Sequence, residues 1–208
     1  MSPKEKVTAI LRILKKIDPR PKSALQYSTP WEFLVAVQLS AQCTDKKVNE
    51  VTAKLFRKYP NLDAYLRARP REFEKDIHAT GFYRAKTKNV LGAAKALKTL
   101  YNGRLPRTMP QMLALPGMGR KSANIVLGTI YGVREGIAVD THVKRLAKQL
   151  GLTKHTDPAK IESDLMAIVP KKDWLNFNYI LVDYGRAYCP ARPHDHVKKG
   201  CPLAGFYV

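Results

Sequence analysis

Lys121 and Asp140 are the two side chains whose type and placement could do chemistry. Lys121 follows the run Leu115-Pro116-Gly117-Met118-Gly119-Arg120. After it, Ala123, Val126, Leu127 and Ile130 recur at i, i+3, i+4 and i+7, the apolar stripe of a helix. No Ser, Thr, Asp or Asn precedes that helix to cap it. Its first N–H groups are therefore left for another acceptor, of which a phosphate is the natural one. The positive end of a helix disfavours a second positive charge, which favours Lys121 as a neutral and so nucleophilic amine. Asp140 stands as the predicted N-cap of a second stripe, Val143, Leu146, Ala147 and Leu150, where the same polarity keeps a carboxylate charged. A neutral amine and a fixed carboxylate suit displacement at a cationic sugar carbon. Spacing alone leaves another reading open, with Lys121 a phosphate anchor and Asp140 a simple cap.

Both residues depend on helix starts, and the whole chain reads as helices. Val7, Ile10, Leu11, Leu14 and Ile17 form one stripe, stopped by Asp18-Pro19-Arg20-Pro21. The segment from Trp31 to Gln42 is apolar almost all round, which predicts a buried central helix. Thr44-Asp45 opens an amphipathic helix that runs to Tyr59, and two short helices broken at Pro70 follow. Gly81-Phe82-Tyr83 reads as a turn exposing an aromatic, and Arg84 to Tyr101 as a long helix closed by Asn102-Gly103. Thr108 is a predicted N-cap for a short helix with Pro110 in its first turn, so the Lys121 segment reads as helix, Gly-rich hairpin, helix. Beyond a break at Gly132 to Gly136, helices start at Asp140, Asp157-Pro158 and Trp174. No strand alternation of useful length occurs, so the fold class is all-α.

Composition narrows the partners. Lys and Arg number 37 against 17 Asp and Glu, a net charge of +20, spread along the chain rather than gathered in a tail. That balance points to a polyanion, nucleic acid before an anionic membrane surface, with a generic solubilising surface as the bland alternative. There is no signal-peptide pattern and no apolar run of ~18 residues, which predicts neither secretion nor membrane spanning. Three cysteines without a leader predict a reducing compartment, hence a cytoplasmic protein, nucleoid-associated if prokaryotic.

Leu115-Pro116-Gly117-Met118-Gly119-Arg120-Lys121-Ser122-Ala123-Asn124 followed by Val139-Asp140-Thr141-His142-Val143 resembles the helix-hairpin-helix, Gly/Pro-rich loop and catalytic Asp of endonuclease III-type DNA glycosylases. Leu39-Ser40-Ala41-Gln42-Cys43-Thr44-Asp45 resembles that family's LSAQ-x-TD segment, and Gly81-Phe82-Tyr83-Arg84-Ala85-Lys86 its G-[LF]-Y-x-x-K loop. Tyr184-Gly185-Arg186 before Cys189 is similar to the approach to its iron–sulfur loop. The resemblance implies two helical domains with a DNA groove between them, residues 22–133 against residues 1–21 with 134–208. It implies a monomer acting on double-stranded DNA with a damaged base or abasic site, through attack of Lys121 on C1′ and stabilisation of the sugar cation by Asp140. Gln42 and Phe82 match the residues that fill the gap left by a flipped base. Backbone N–H groups at Gly117 and Gly119, with Arg120, would hold a phosphate.

Two comparisons within that superfamily narrow the chemistry. Adenine-specific mismatch enzymes carry a catalytic Glu just before the intercalating Gln, and no carboxylate stands between Phe33 and Gln42 here. Thymine-mismatch enzymes tend to lack the lysine. Both favour an oxidised-pyrimidine glycosylase with lyase function. The alternatives are a monofunctional mismatch glycosylase and a non-catalytic DNA-binding protein that uses the hairpin for backbone contacts alone.

The tail departs from the pattern. The family's [4Fe–4S] loop reads C-x6-C-x2-C-x5-C, whereas this chain has Cys189 and Cys201 and then no further Cys. The ligand set is incomplete, which predicts a variant without the cluster and without a cofactor. Arg192, Lys198 and Lys199 would still contact phosphates, with Pro190, Pro193 and Pro202 stiffening the loop. A reading ranked below the metal-free one is a zinc site from Cys189, Cys201 and one or both of His194 and His196.

Overall fold

The computed structural model describes residues 1–192 and 194–208; the stiffening role expected of Pro193 lies outside the described residues. The chain is all-α, and no strand occurs among the described residues. Two compact units divide it: Ser23–Val133, and Met1–Lys22 together with Arg134–Val208.

The second of these units begins with α1 (Pro3–Ile17), opened by a reciprocal capping box. Ser2 Oγ accepts from the Glu5 N–H at 3.3 Å, and the Glu5 carboxylate accepts from the Ser2 N–H at 2.7 Å.

The chain then builds the Ser23–Val133 unit from α2 (Pro30–Leu39), α3 (Asp45–Lys58), α4 (Leu62–Leu66), α5 (Pro70–Ile77), α6 (Tyr83–Tyr101), α7 (Met109–Leu113) and α8 (Arg120–Tyr131). Every residue of α2 from Phe33 to Leu39 is buried, and the helix packs against α3, α6 and α8, as its all-round apolarity requires. Tyr65 anchors one side of this core, edge-on to Trp31 at 5.1 Å. The unit that α1 opens is completed by α9 (Thr141–Gln149), α10 (Pro158–Ile168) and α11 (Trp174–Ala187). Val7, Ile10 and Leu14 of α1 meet Leu146, Leu165, Phe177 and Leu181 there. Each fully buried side chain of this size contributes roughly 1.5–3 kcal/mol.

Two local expectations need correction. The sequence predicts a helix to Gln42, but α2 stops at Leu39. In a longer helix the Leu39 carbonyl would accept from the N–H of residue 43. Instead it accepts from the Lys86 ammonium at 2.8 Å, and the Cys43 N–H turns to the Ser40 carbonyl at 3.1 Å. Thr108 occupies the N-cap position of α7 without capping it, because its hydroxyl lies 2.9 Å from Gln111 Oε1.

Candidate active site

The hairpin between α7 and α8 is shaped by its glycines and by packing from behind. Gly117 has φ +77°, and a Cβ there would fall 2.7 Å from Asn89 Cβ. A side chain is thus excluded both by backbone handedness and by contact. Pro116 lies over Gly92 of α6, where an added Cβ would sit 3.3 Å from its ring. The Pro116 carbonyl accepts from Gln38 Nε2 at 2.7 Å, so the buried α2 holds the loop from below. Gly119 is the N-cap of α8, no side chain caps the helix, and nothing approaches its Cβ direction within 4 Å. Arg120 and Lys121 open the helix, and both are exposed. An uncapped helix end, an open glycine and two cations therefore share one turn, the composition of an anion-binding terminus.

Gln42 and Phe82 both adopt left-handed backbone, at φ 51° and 47°. Non-glycine residues rarely rest there, and such strain persists only where the surroundings enforce it. Lys86 braces the segments on both sides. This buried lysine donates to the Leu39 carbonyl and, at 2.7 Å, to the Thr80 carbonyl. It thereby ties the end of α2, three residues before Gln42, to the turn two residues before Phe82. Burial lowers its pKa below the ordinary lysine value. Phe82 is left 64 % exposed, an unusual position for a large apolar ring.

In the other unit, Asp140 is the N-cap of α9, and its Oδ1 accepts from the Val143 N–H at 2.8 Å. The segment leading to it is held by the buried Asn178 of α11, whose Nδ2 donates to the Ala138 carbonyl at 2.9 Å. His142 follows, close over Gly185, where a Cβ would fall 2.7 Å from its Nδ1. That nitrogen is buried and has no hydrogen-bond partner.

The tail folds back on the same unit. Arg145 of α9 donates to the Cys189 carbonyl at 2.7 Å, and the Val208 N–H donates to the Gln149 carbonyl at 3.0 Å. Arg192, Lys198 and Lys199 are exposed. Ligand atoms of Cys189, His194 and His196 lie within 4.8 Å of one another. Burial, then the neighbouring His194, pushes His196 below the ordinary imidazole range. A [4Fe–4S] cluster takes four thiolates. The chain has three cysteines, and Cys43 belongs to the Ser23–Val133 unit. Cys189 and Cys201, with imidazoles rather than thiolates beside them, do not fit that cluster.

Gln38 and Asn178 are positioning residues that sequence reasoning missed, and Lys86 stood there only as the last residue of the Gly81–Lys86 motif, without a role. Each reads as one polar residue inside an apolar or mixed helix, and its partner is remote in the chain. The signal available was that a polar group buried on a helix needs a partner.

Comparison with known proteins shows the family. Residues 35–171, more than half of the chain, match the family model described as HhH-GPD superfamily base excision DNA repair protein. The chain is 49% identical over 191 residues to a protein named Endonuclease III from Synechocystis sp., covering 92% of this chain and 87% of that one. Two solved structures superpose on it with a TM-score of 0.92 at 38% identity, covering 100% of this chain and 96% of theirs. One is described as a non-covalent Endonuclease III–DNA complex and the other as a trapped Endonuclease III–DNA covalent intermediate. By this match and this relative, the chain belongs to the HhH-GPD superfamily of base excision DNA repair proteins.

Proposed function

We propose that this chain is a bifunctional DNA glycosylase and AP lyase that excises oxidised pyrimidines from duplex DNA. The observation that carries the reading is Lys121 exposed in the first turn of α8, a helix that no side chain caps. The amine of Lys121 attacks C1′ of the damaged nucleotide. The C1′–N bond breaks, and its electron pair leaves with the base, which takes up a proton. Opening of the sugar at O4′ leaves a Schiff base between Nζ and C1′. Loss of a C2′ proton then expels the 3′ phosphate and nicks the strand. Asp140, held by its capping bond, stabilises the developing sugar cation and assists the proton transfers. Gln42 and Phe82 fill the gap in the stack. Gly117, Gly119 and Arg120 grip the backbone of the DNA, with Arg192, Lys198 and Lys199 adding phosphate contacts. The protein acts as a monomer and without an iron–sulfur cluster, and no step depends on one.

Borohydride trapping on duplexes carrying single oxidised pyrimidines tests this. Wild type should form a covalent adduct and Lys121→Ala none. Base release without adduct or nicking would identify a monofunctional enzyme. Salt-sensitive binding with neither product would identify a DNA-binding protein that does no chemistry.

A further inference from the structure

We propose that the C-terminal loop is a closed mononuclear zinc site, with Cys189, His194, His196 and Cys201 as its ligands. These residues form the symmetric pattern C-x4-H-x-H-x4-C. Bond lengths of about 2.3 Å for Zn–S and about 2.0–2.1 Å for Zn–N, at a tetrahedral angle, place S and N ligands about 3.6 Å apart. Cys201 Sγ and His194 Nε2 are 3.6 Å apart, and Cys189 Sγ and His196 Nδ1 are 4.0 Å apart. The ligand atoms of Cys189, His194 and His196 lie within 4.8 Å of one another, and Cys201 joins them through His194, so closing all four on one ion takes side-chain rearrangement.

The atoms surrounding the four side chains suit ligation. His194 Nδ1 lies 2.8 Å from the Arg192 carbonyl oxygen. A carbonyl only accepts, so Nδ1 carries the proton and the lone pair sits on Nε2, the nitrogen that faces Cys201. A metal-ligating histidine is oriented in the same way. Cys189 Sγ accepts from Tyr207 Oη at 3.0 Å and from Arg145 Nη1 at 3.4 Å, two donors from outside the ligand set. The Tyr207 ring stacks on His196 with centroids 3.6 Å apart, fixing the plane of that imidazole. Cys201 Sγ donates to the Tyr188 carbonyl at 3.1 Å, a bond it gives up when the thiol loses its proton to bind metal. Two thiolates and two neutral imidazoles make the zinc complex neutral overall, which suits Cys189 and Cys201 at 0% and 5% exposure. Soft S and N donors in this geometry select zinc over calcium or magnesium. Binding releases the thiol protons. With all four positions taken by protein, the ion fastens the tail and leaves no position for substrate.

The test is elemental analysis of the full chain purified without chelator, followed by Co²⁺ replacement of the bound metal. About one zinc ion per chain and little iron are expected, with the visible absorption of tetrahedral thiolate-bound Co²⁺ after exchange. Cys201→Ser and His196→Ala should each lose zinc and the Co²⁺ bands. His196 is only half-buried, so its variant should keep the helical fold by circular dichroism. The proposal is overturned if wild type neither carries zinc nor takes up Zn²⁺ or Co²⁺ from solution. Iron in place of zinc overturns it equally, as does zinc that persists at full stoichiometry in both variants. These readouts are independent of glycosylase activity.

Discussion

Replacing Lys86 with Met keeps most of a buried stem and deletes its ammonium. Lys86 is 4% exposed, and its two bonds measure 2.8 and 2.7 Å. A hydrogen bond to a charged group contributes about 1.5–3 kcal/mol, and a buried acceptor left without a partner costs about 1–3 kcal/mol. Against these stands the burial of the charge, an effective penalty of several kcal/mol. The expected balance is a loss of roughly 1–3 kcal/mol, read as a lower urea midpoint with unchanged slope. DNA affinity should fall as well. Gln42 and Phe82 are held at φ 51° and 47°, a region that costs a non-glycine residue about 1–2 kcal/mol. Once the tie is cut they relax, and binding must restore the strain. At about 1.4 kcal/mol per factor of ten, an abasic-site duplex should bind roughly tenfold more weakly. The pH dependence has a defined sign. Burial sets the native pKa of Lys86 below the unfolded value of 10.5. Between those two values the unfolded chain binds more protons, so stability rises with pH. Below that window both states are protonated and the contribution is absent. Lys86→Met should abolish this alkaline rise. A variant with wild-type stability, affinity and alkaline slope would refute the role of Lys86 as a brace.

Three further outcomes separate positioning from chemistry. Asp140→Asn retains a good N-cap, so it should melt near wild type yet lose base excision, whereas Asp140→Ala should also lose about 1 kcal/mol of stability. Gly117→Ala should cost about 1–3 kcal/mol, because it meets both an unfavourable φ and Asn89, while Gly119→Ala meets open space and should melt close to wild type. Asn178→Leu leaves the Ala138 carbonyl without its 2.9 Å partner. It should cost about 1–3 kcal/mol and lower turnover more than DNA affinity, since the segment it holds leads to Asp140; equal losses in both would argue against that role.

What the sequence determined by itself is local. The uncapped start of α8, Asp140 as a cap, the Asn102-Gly103 stop and the exposed Phe82 all follow from interactions that close within about one helical turn. The same range limit explains the misreading of α2: nothing near Gln42 announces that the Leu39 carbonyl is taken by a lysine 47 positions away. Gln38 reaches Pro116 across 78 positions, and Asn178 reaches Ala138 across 40. Only the packing of α2, α6 and α11 decides which polar side chains become buried beside which carbonyls, because a buried donor takes whatever acceptor the tertiary fold brings to it. The tail shows the division most clearly. Ligand types and spacing were legible, and by spacing alone the zinc reading ranked second. Arg145, Tyr188 and Tyr207, which gather around the two sulfurs, come from α9, from just after α11 and from the last residues of the chain. Their convergence, absent from any short stretch of sequence, is what moves that reading to first place.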